Sequence, residues 1–185
     1  MNHNDYGSNC KAGCIVSCPP GNEWEQEGDR CYFFSKEEKD WFGAEEACQK
    51  RGGHLASVNN ERVHNYMQSK EFKGWIGGID VNKGKGSWNW TWTDCSEWEF
   101  NSGWASGEPR PGHEYCVEYE GRDEISDKYL WNNKACTRHV HGFVCSIPVC
   151  PGTVLNIFCV KSDILYPQKI FLKSNGMDAA RMDAR

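Results

Sequence analysis

Apolar residues recur along this chain with two different periods, and the change falls near residue 74. An aromatic run, DRCYFFS, reads as a short strand and leads into KDWFGAEEACQKRGG. There Asp40 is placed to cap a helix, Glu45 and Glu46 come early, Lys50 and Arg51 come late, and Gly52 ends it. Trp41, Ala44 and Cys48 share one face at spacings of three and four, which aims Cys48 at the core. The segment NNERVHNYMQ repeats the pattern more briefly, with Asn59 or Asn60 as cap and Val63, Tyr66 and Met67 as its apolar stripe. Beyond Gly74 the period shortens. WIGGI, WNWTW, EYCVEYE and HGFVC are brief aromatic and β-branched runs separated by Gly, Pro, Asn and Asp.

Helices first and strands later predict an α+β domain. The Gly- and Asn-rich stretch from Asp80 to Pro111 predicts a large loop of the kind kept for binding. Residues 1–17 are polar and turn-rich and read as a poorly ordered lead-in, 18–148 as the folded domain, and 149–185, which show no sustained period, as an appendage of uncertain order. Internal repeats and heptads are absent from the sequence.

Composition narrows the function classes. With 21 Lys and Arg against 26 Asp and Glu the net charge is -5, which argues against a nucleic-acid partner, because such binding rests on cationic side chains displacing counterions. Eleven cysteines in 185 residues match the disulfide-dense usage of secreted or extracellular domains. Zinc is the rival reading of the cysteines, but paired C-x2-C units are missing, and Cys10, Cys14 and Cys18 at four-residue spacing fit no common zinc pattern. The first residues carry neither the basic start nor the apolar run of a signal peptide, so one end is expected to be incomplete. No apolar stretch approaches the roughly 20 residues of a membrane span. Asn89-Trp90-Thr91 is the single N-glycosylation sequon. An enzyme is disfavoured: the chain has no G-x-S-x-G elbow, no phosphate-cradling glycine motif and no H-E-x-x-H.

The segments CPPGNEWEQEGDRCYFFS, AEEACQKRGGHLASV, WIGG, WTDCSEWEF, WASGEP, EYC, WNNKAC and FVC occur in the order seen in the C-type lectin-like domain, which the chain resembles from Cys18 to about Pro148. The resemblance implies a double-looped α+β fold whose long loop holds a calcium ion that touches sugar hydroxyls. It implies disulfides Cys18–Cys31, Cys48–Cys145 and Cys116–Cys136. Cys10, Cys14, Cys95, Cys150 and Cys159 are then left over, and Cys95 stands where the family usually has glycine. An interchain link making a disulfide-bonded oligomer, and a private link to a tail cysteine, both stay open for it.

For the sugar site the resemblance implies five positions, Glu108, Arg110, Glu114, Asn132 and Asn133, with the Glu108–Pro109 bond cis. Glu108, Glu114, Asn132 and Asn133 are the implied calcium ligands. Two positions depart from the family, which has Asn at 110 and Asp at 133. The family's three carboxylates give -3, whereas here two carboxylates give -2 and Arg110 returns +1, leaving -1. Arginine has no acceptor atom and cannot ligate calcium. The expectation is a weakened calcium site, in roughly the 10⁻⁴ to 10⁻³ M range, or none. Arg110 can instead fork onto Glu108 or Glu114 and hold the loop without metal. Glu-Pro-Arg matches neither the mannose-type nor the galactose-type motif, so the sugar class stays open. An auxiliary calcium site is matched only at Asp80 and Glu114. Among the aromatics, Trp75 and Trp104 are expected in the core and Trp90 and Trp98 in the variable loop, while His139 and His141 are expected in surface or packing roles. The implied function is non-catalytic binding of a glycan or glycoprotein; the alternative is calcium-independent recognition of a protein or ice surface.

Overall fold

Both helices begin at polar residues that the sequence marks for the purpose. Asp40 Oδ1 accepts the Gly43 N–H at 2.8 Å and opens α1 (Trp41–Gln49). Asn60, rather than Asn59, opens α2 (Glu61–Ser69) by accepting the Val63 N–H at 2.9 Å. The computed structural model describes residues 13–21, 23–83, 87–122, 128–138 and 140–150. Its strands are β1 (Trp24–Glu27), β2 (Arg30–Lys39), β3 (His54–Leu55), β4 (Gly74–Asp80), β5 (Trp90–Trp92), β6 (Cys116–Arg122), β7 (Tyr129–Lys134) and β8 (His141–Pro148). They form one sheet in the order β1-β2-β8-β4-β6-β7, with β3 added to β8 and β5 to β4. All pairings are antiparallel except β4 with β8.

Two apolar clusters hold the helices to the sheet. Trp41, Ala44 and Cys48 of α1 are fully buried with Leu55, Trp75 and Phe143, and Cys48 is bridged to Cys145 of β8. The indole N–H groups are paired: Trp41 donates to Ile76 O at 2.8 Å and Trp75 to Lys39 O at 2.9 Å. Val63 and Met67 of α2 pack with Tyr32, Ile76, Tyr119 and Trp131 in the second cluster, and Tyr66 covers its edge.

Glu45 departs from its sequence reading as an early helix charge. It is 2% exposed and accepts from Leu55 N–H at 2.8 Å and Gln49 at 2.8 Å, with His54 Nδ1 at 2.7 Å, which ties α1 to β3. A buried carboxylate is tolerable only with such a set of donors.

The Cys14–Cys150 bridge joins the two ends of the described chain, and Cys18–Cys31 ties the N-terminal segment to β2. Ile15 pairs with Val149, so regular structure continues a few residues past both Cys18 and Pro148; the Cys14–Cys150 link, which spacing does not reveal, is the reason. Residues 1–12 and 151–185 lie outside the described residues. No helix among the described residues is long and apolar enough to cross a membrane.

His64 sits in the second cluster, 6% exposed, with Nδ1 2.8 Å from the Tyr119 hydroxyl. Burial, and then the charge of Lys128, pulls it down to about 4. Folded His64 therefore stays neutral where the unfolded chain, titrating near 6.5, takes up a proton. Its contribution is complete above pH ~6.5 and falls away toward pH 4, by about 3 kcal/mol in all. Denaturant unfolding at pH 7 and pH 4 is expected to show this loss, and His64→Gln to remove it; an unchanged pH slope in the variant refutes the assignment.

Candidate functional site

The long loop leaves the sheet after β4 and returns at β6, and polar side chains pin it at successive points. Buried Asp80 accepts the N–H groups of Asn82 (3.1 Å) and Asn89 (2.8 Å) through one oxygen, Oδ1, tying down both sides of the first turn. Asp80 thus serves as a turn anchor through Oδ1. Asp94, 6% exposed, is paired with Arg30 of β2 and accepts from Ser57 at 2.8 Å and Ser96 at 2.6 Å. Burial works against its charge, but Arg30 and the two hydroxyls hold the carboxyl below its usual range. The next residue, Cys95, has φ 59°, a conformation glycine adopts without cost and cysteine does not. Cys95 is disulfide-bonded within the chain, which holds that turn and withdraws this thiol from interchain pairing.

Further on, residues 103 to 105 lie alongside β7. Trp131 N–H donates to Gly103 O at 2.7 Å and Ala105 N–H to Trp131 O at 2.9 Å. A Cβ on Gly103 would stand 2.4 Å from the Trp131 ring, so only glycine allows this approach. The loop tryptophans form a ladder. Trp88 stacks on Trp90 (5.2 Å), Trp90 on Trp98 (5.8 Å) and Trp98 on Trp92 (4.2 Å), which meets buried Trp131 edge-on. Trp75 is fully buried, but Trp104 is half-buried and packs against Trp90, Trp98 and Trp131. Trp90 and Trp98 are half-buried too, and Trp88 is the exposed end.

The five sequence-singled residues divide into two groups. The Glu108–Pro109 peptide bond is cis. The Glu108 side chain is 3% exposed, and Arg110 grips its Oε1 through both Nη2 (2.5 Å) and Nε (2.7 Å). Asn133 is fully buried and clasps the same turn. Its Oδ1 accepts the Arg110 N–H at 2.9 Å, while its Nδ2 donates to Arg110 O at 2.8 Å and Glu114 O at 2.6 Å. Glu114 thus joins this group through its backbone carbonyl. Asn132 does not join it. One residue back on β7 it faces the other way, opposite Glu118 of β6, and donates to Glu118 Oε1 at 3.3 Å.

This donor set does not fit a calcium ion. Calcium requires six to eight oxygens. Here the guanidinium occupies Glu108 Oε1, a backbone N–H occupies Asn133 Oδ1, and Asn132 is turned away. Among the described residues Glu108 Oε2 is the one buried acceptor of the group left without a hydrogen bond. What the arrangement offers instead is a closed turn with an exposed guanidinium. Two of its five N–H groups point at Glu108, and the others are available to a ligand.

The sequence reading passed over Glu118 and Glu120, although the alternation in EYCVEYE places both on one face of a strand. His141, expected there in a surface or packing role, lies against Trp75 with ring centres 5.1 Å apart, and its Nε2 is 3.0 Å from Glu118 Oε2. His139, its supposed companion, lies outside the described residues.

The sequence pattern of the lectin C-type domain matches residues 37–147. Galactose-specific lectin nattectin of Thalassophryne nattereri is 32% identical over 149 residues, which span 76% of this chain and 86% of nattectin. The cow carbohydrate-recognition domain of CD23, solved in the presence of an oligosaccharide, superposes with a TM-score of 0.61 at 27% identity, over 74% of this chain and 100% of that one. Herring type II antifreeze protein superposes with a TM-score of 0.60 at 27% identity, over 72% and 100%. By the order of its motifs, the course of its sheet and these likenesses, the chain belongs to the lectin C-type domain family.

Proposed function

We propose that this is a non-catalytic, extracellular carbohydrate-recognition domain whose long loop is braced by the Arg110–Glu108 pair in place of calcium, and that galactosides are its ligands. The observation that carries the reading is the guanidinium seated on the Glu108 carboxylate, where a metal-dependent site needs that oxygen for the ion. The remaining donors of Arg110, whose side chain is 70% exposed, offer hydrogen bonds to vicinal sugar hydroxyls. The galactose specificity in nattectin's name selects the sugar class to try first. Asn89, exposed at the loop rim, is the proposed N-glycan acceptor.

Calcium is expected to leave the melting temperature unchanged, and a chelator to leave binding on a glycan array intact; a chelator-reversible rise in either sinks the reading. An array that stays silent in both conditions moves the domain to a protein or ice surface. Restoring the family pair with Arg110→Asn and Asn133→Asp is expected to create a calcium response, about 2 to 3 kcal/mol of added stability at a hundredfold excess over Kd. Truncation by Asn133→Ala strands the Arg110 and Glu114 backbone groups and is expected to cost about 3 kcal/mol in denaturant unfolding, with glycan affinity falling in parallel.

A further inference from the structure

We propose that Glu118, Glu120 and His141 form a second, loop-independent binding site for a divalent metal of the zinc type, on the face of the sheet opposite the Asn133 clasp. Two strands build it. Glu118 and Glu120 are two apart on β6 and share a face, and β8 begins at His141 beside them. One donor atom from each of the three residues lies within 4.8 Å of the other two. The imidazole packs edge-on against buried Trp75, which limits its rotation.

Glu118 gives the strongest reason to expect a ligand. It is fully buried, its Oε1 takes the Asn132 amide at 3.3 Å, and among the described residues its Oε2 accepts no hydrogen bond. That oxygen instead faces His141 Nε2 at 3.0 Å in a geometry that is not a hydrogen bond. Two ligands of a tetrahedral zinc ion, each bound at ~2.0–2.2 Å, stand roughly 3.3 Å apart, so the pair is already close to coordinating separation. A buried carboxylate oxygen without a hydrogen-bond donor is satisfied when a cation binds it.

Without metal, the carboxylates have lysine counter-ions. Lys73 Nζ is 2.7 Å from Glu120 Oε1, and Lys134 Nζ lies 3.9 Å from Glu118 and 3.8 Å from Glu120. Lys73 is half exposed and can swing into solvent, leaving Glu120 to the ion. An imidazole nitrogen with two carboxylates suits zinc, whereas calcium takes oxygen shells. Water completes the fourth position from the rim, where the Glu120 and His141 side chains reach solvent.

The test titrates metal-stripped protein with zinc chloride by calorimetry and thermal melting at pH 7. One saturable equivalent per chain and a raised melting temperature are expected. Glu118→Gln and His141→Ala are each expected to weaken binding by more than about tenfold, and Glu120→Gln, at a more exposed position, serves if either destabilises the fold. Arg110→Asn is expected to leave zinc binding unchanged. Absence of saturable binding, or zinc affinity that survives His141→Ala or Glu120→Gln, overturns the proposal and assigns any ion to other histidines such as exposed His113.

Discussion

Neighbouring residues of a strand face opposite sides of a sheet, and on β7 this alternation sends Asn132 and Asn133 into different chemistry. The register that decides which goes where is Val117 opposite Asn133 and Glu118 opposite Asn132. The Cys116–Cys136 bridge closes the β6–β7 pair beside the Cys116–Lys134 position and holds that register. A slip by one residue would exchange the two asparagines, unclasp the loop and push the Glu118 partner into the core. Closing a 20-residue separation, the bridge stabilises by about 3 kcal/mol in the chain-entropy view.

The loop's shape follows from that register. A carboxylate as buried as Glu108 must be neutralised, and the chain can do so with an ion it must capture or a guanidinium it already carries. Arg110, two residues away across the cis bond, supplies the charge from within. In the proposed reading, loop order does not depend on metal concentration, and a single-chain pair stands in for a three-carboxylate cage that would repel itself when empty.

Three buried carboxylates show how differently such groups are satisfied. Glu45 is surrounded by His54, Gln49 and the Leu55 N–H. Asp94 has Arg30 and two serine hydroxyls. Glu118 has one asparagine amide, His141 Nε2 at 3.0 Å outside hydrogen-bonding geometry and a lysine at 3.9 Å, so its charged form is the least supported of the three. The first two join elements: Glu45 fixes α1 to β3, and Asp94 fixes the loop to β2. Glu118 joins nothing comparable, and this sets it apart as a group with chemistry to spare.

The sequence by itself determined the elements and their class. Local rules suffice there, because a cap needs only a polar oxygen next to a free N–H, and a stripe such as Trp41, Ala44 and Cys48 needs only the helical period. Motif order implied three of the cysteine pairings and the residues of the long loop. The tertiary structure decided everything that depends on which surfaces meet. Glu45 reads as a helix-end charge until β3 packs over it, and Cys14 has no visible partner until the chain ends come together at Cys150. Arg110 has two carboxylates within reach in sequence, but the turn presents only Glu108 to it. The gathering of Glu118, Glu120 and His141 depends on strand order, which brings β6 and β8 to either side of β4 although they are far apart in the chain, and no local pattern encodes that adjacency.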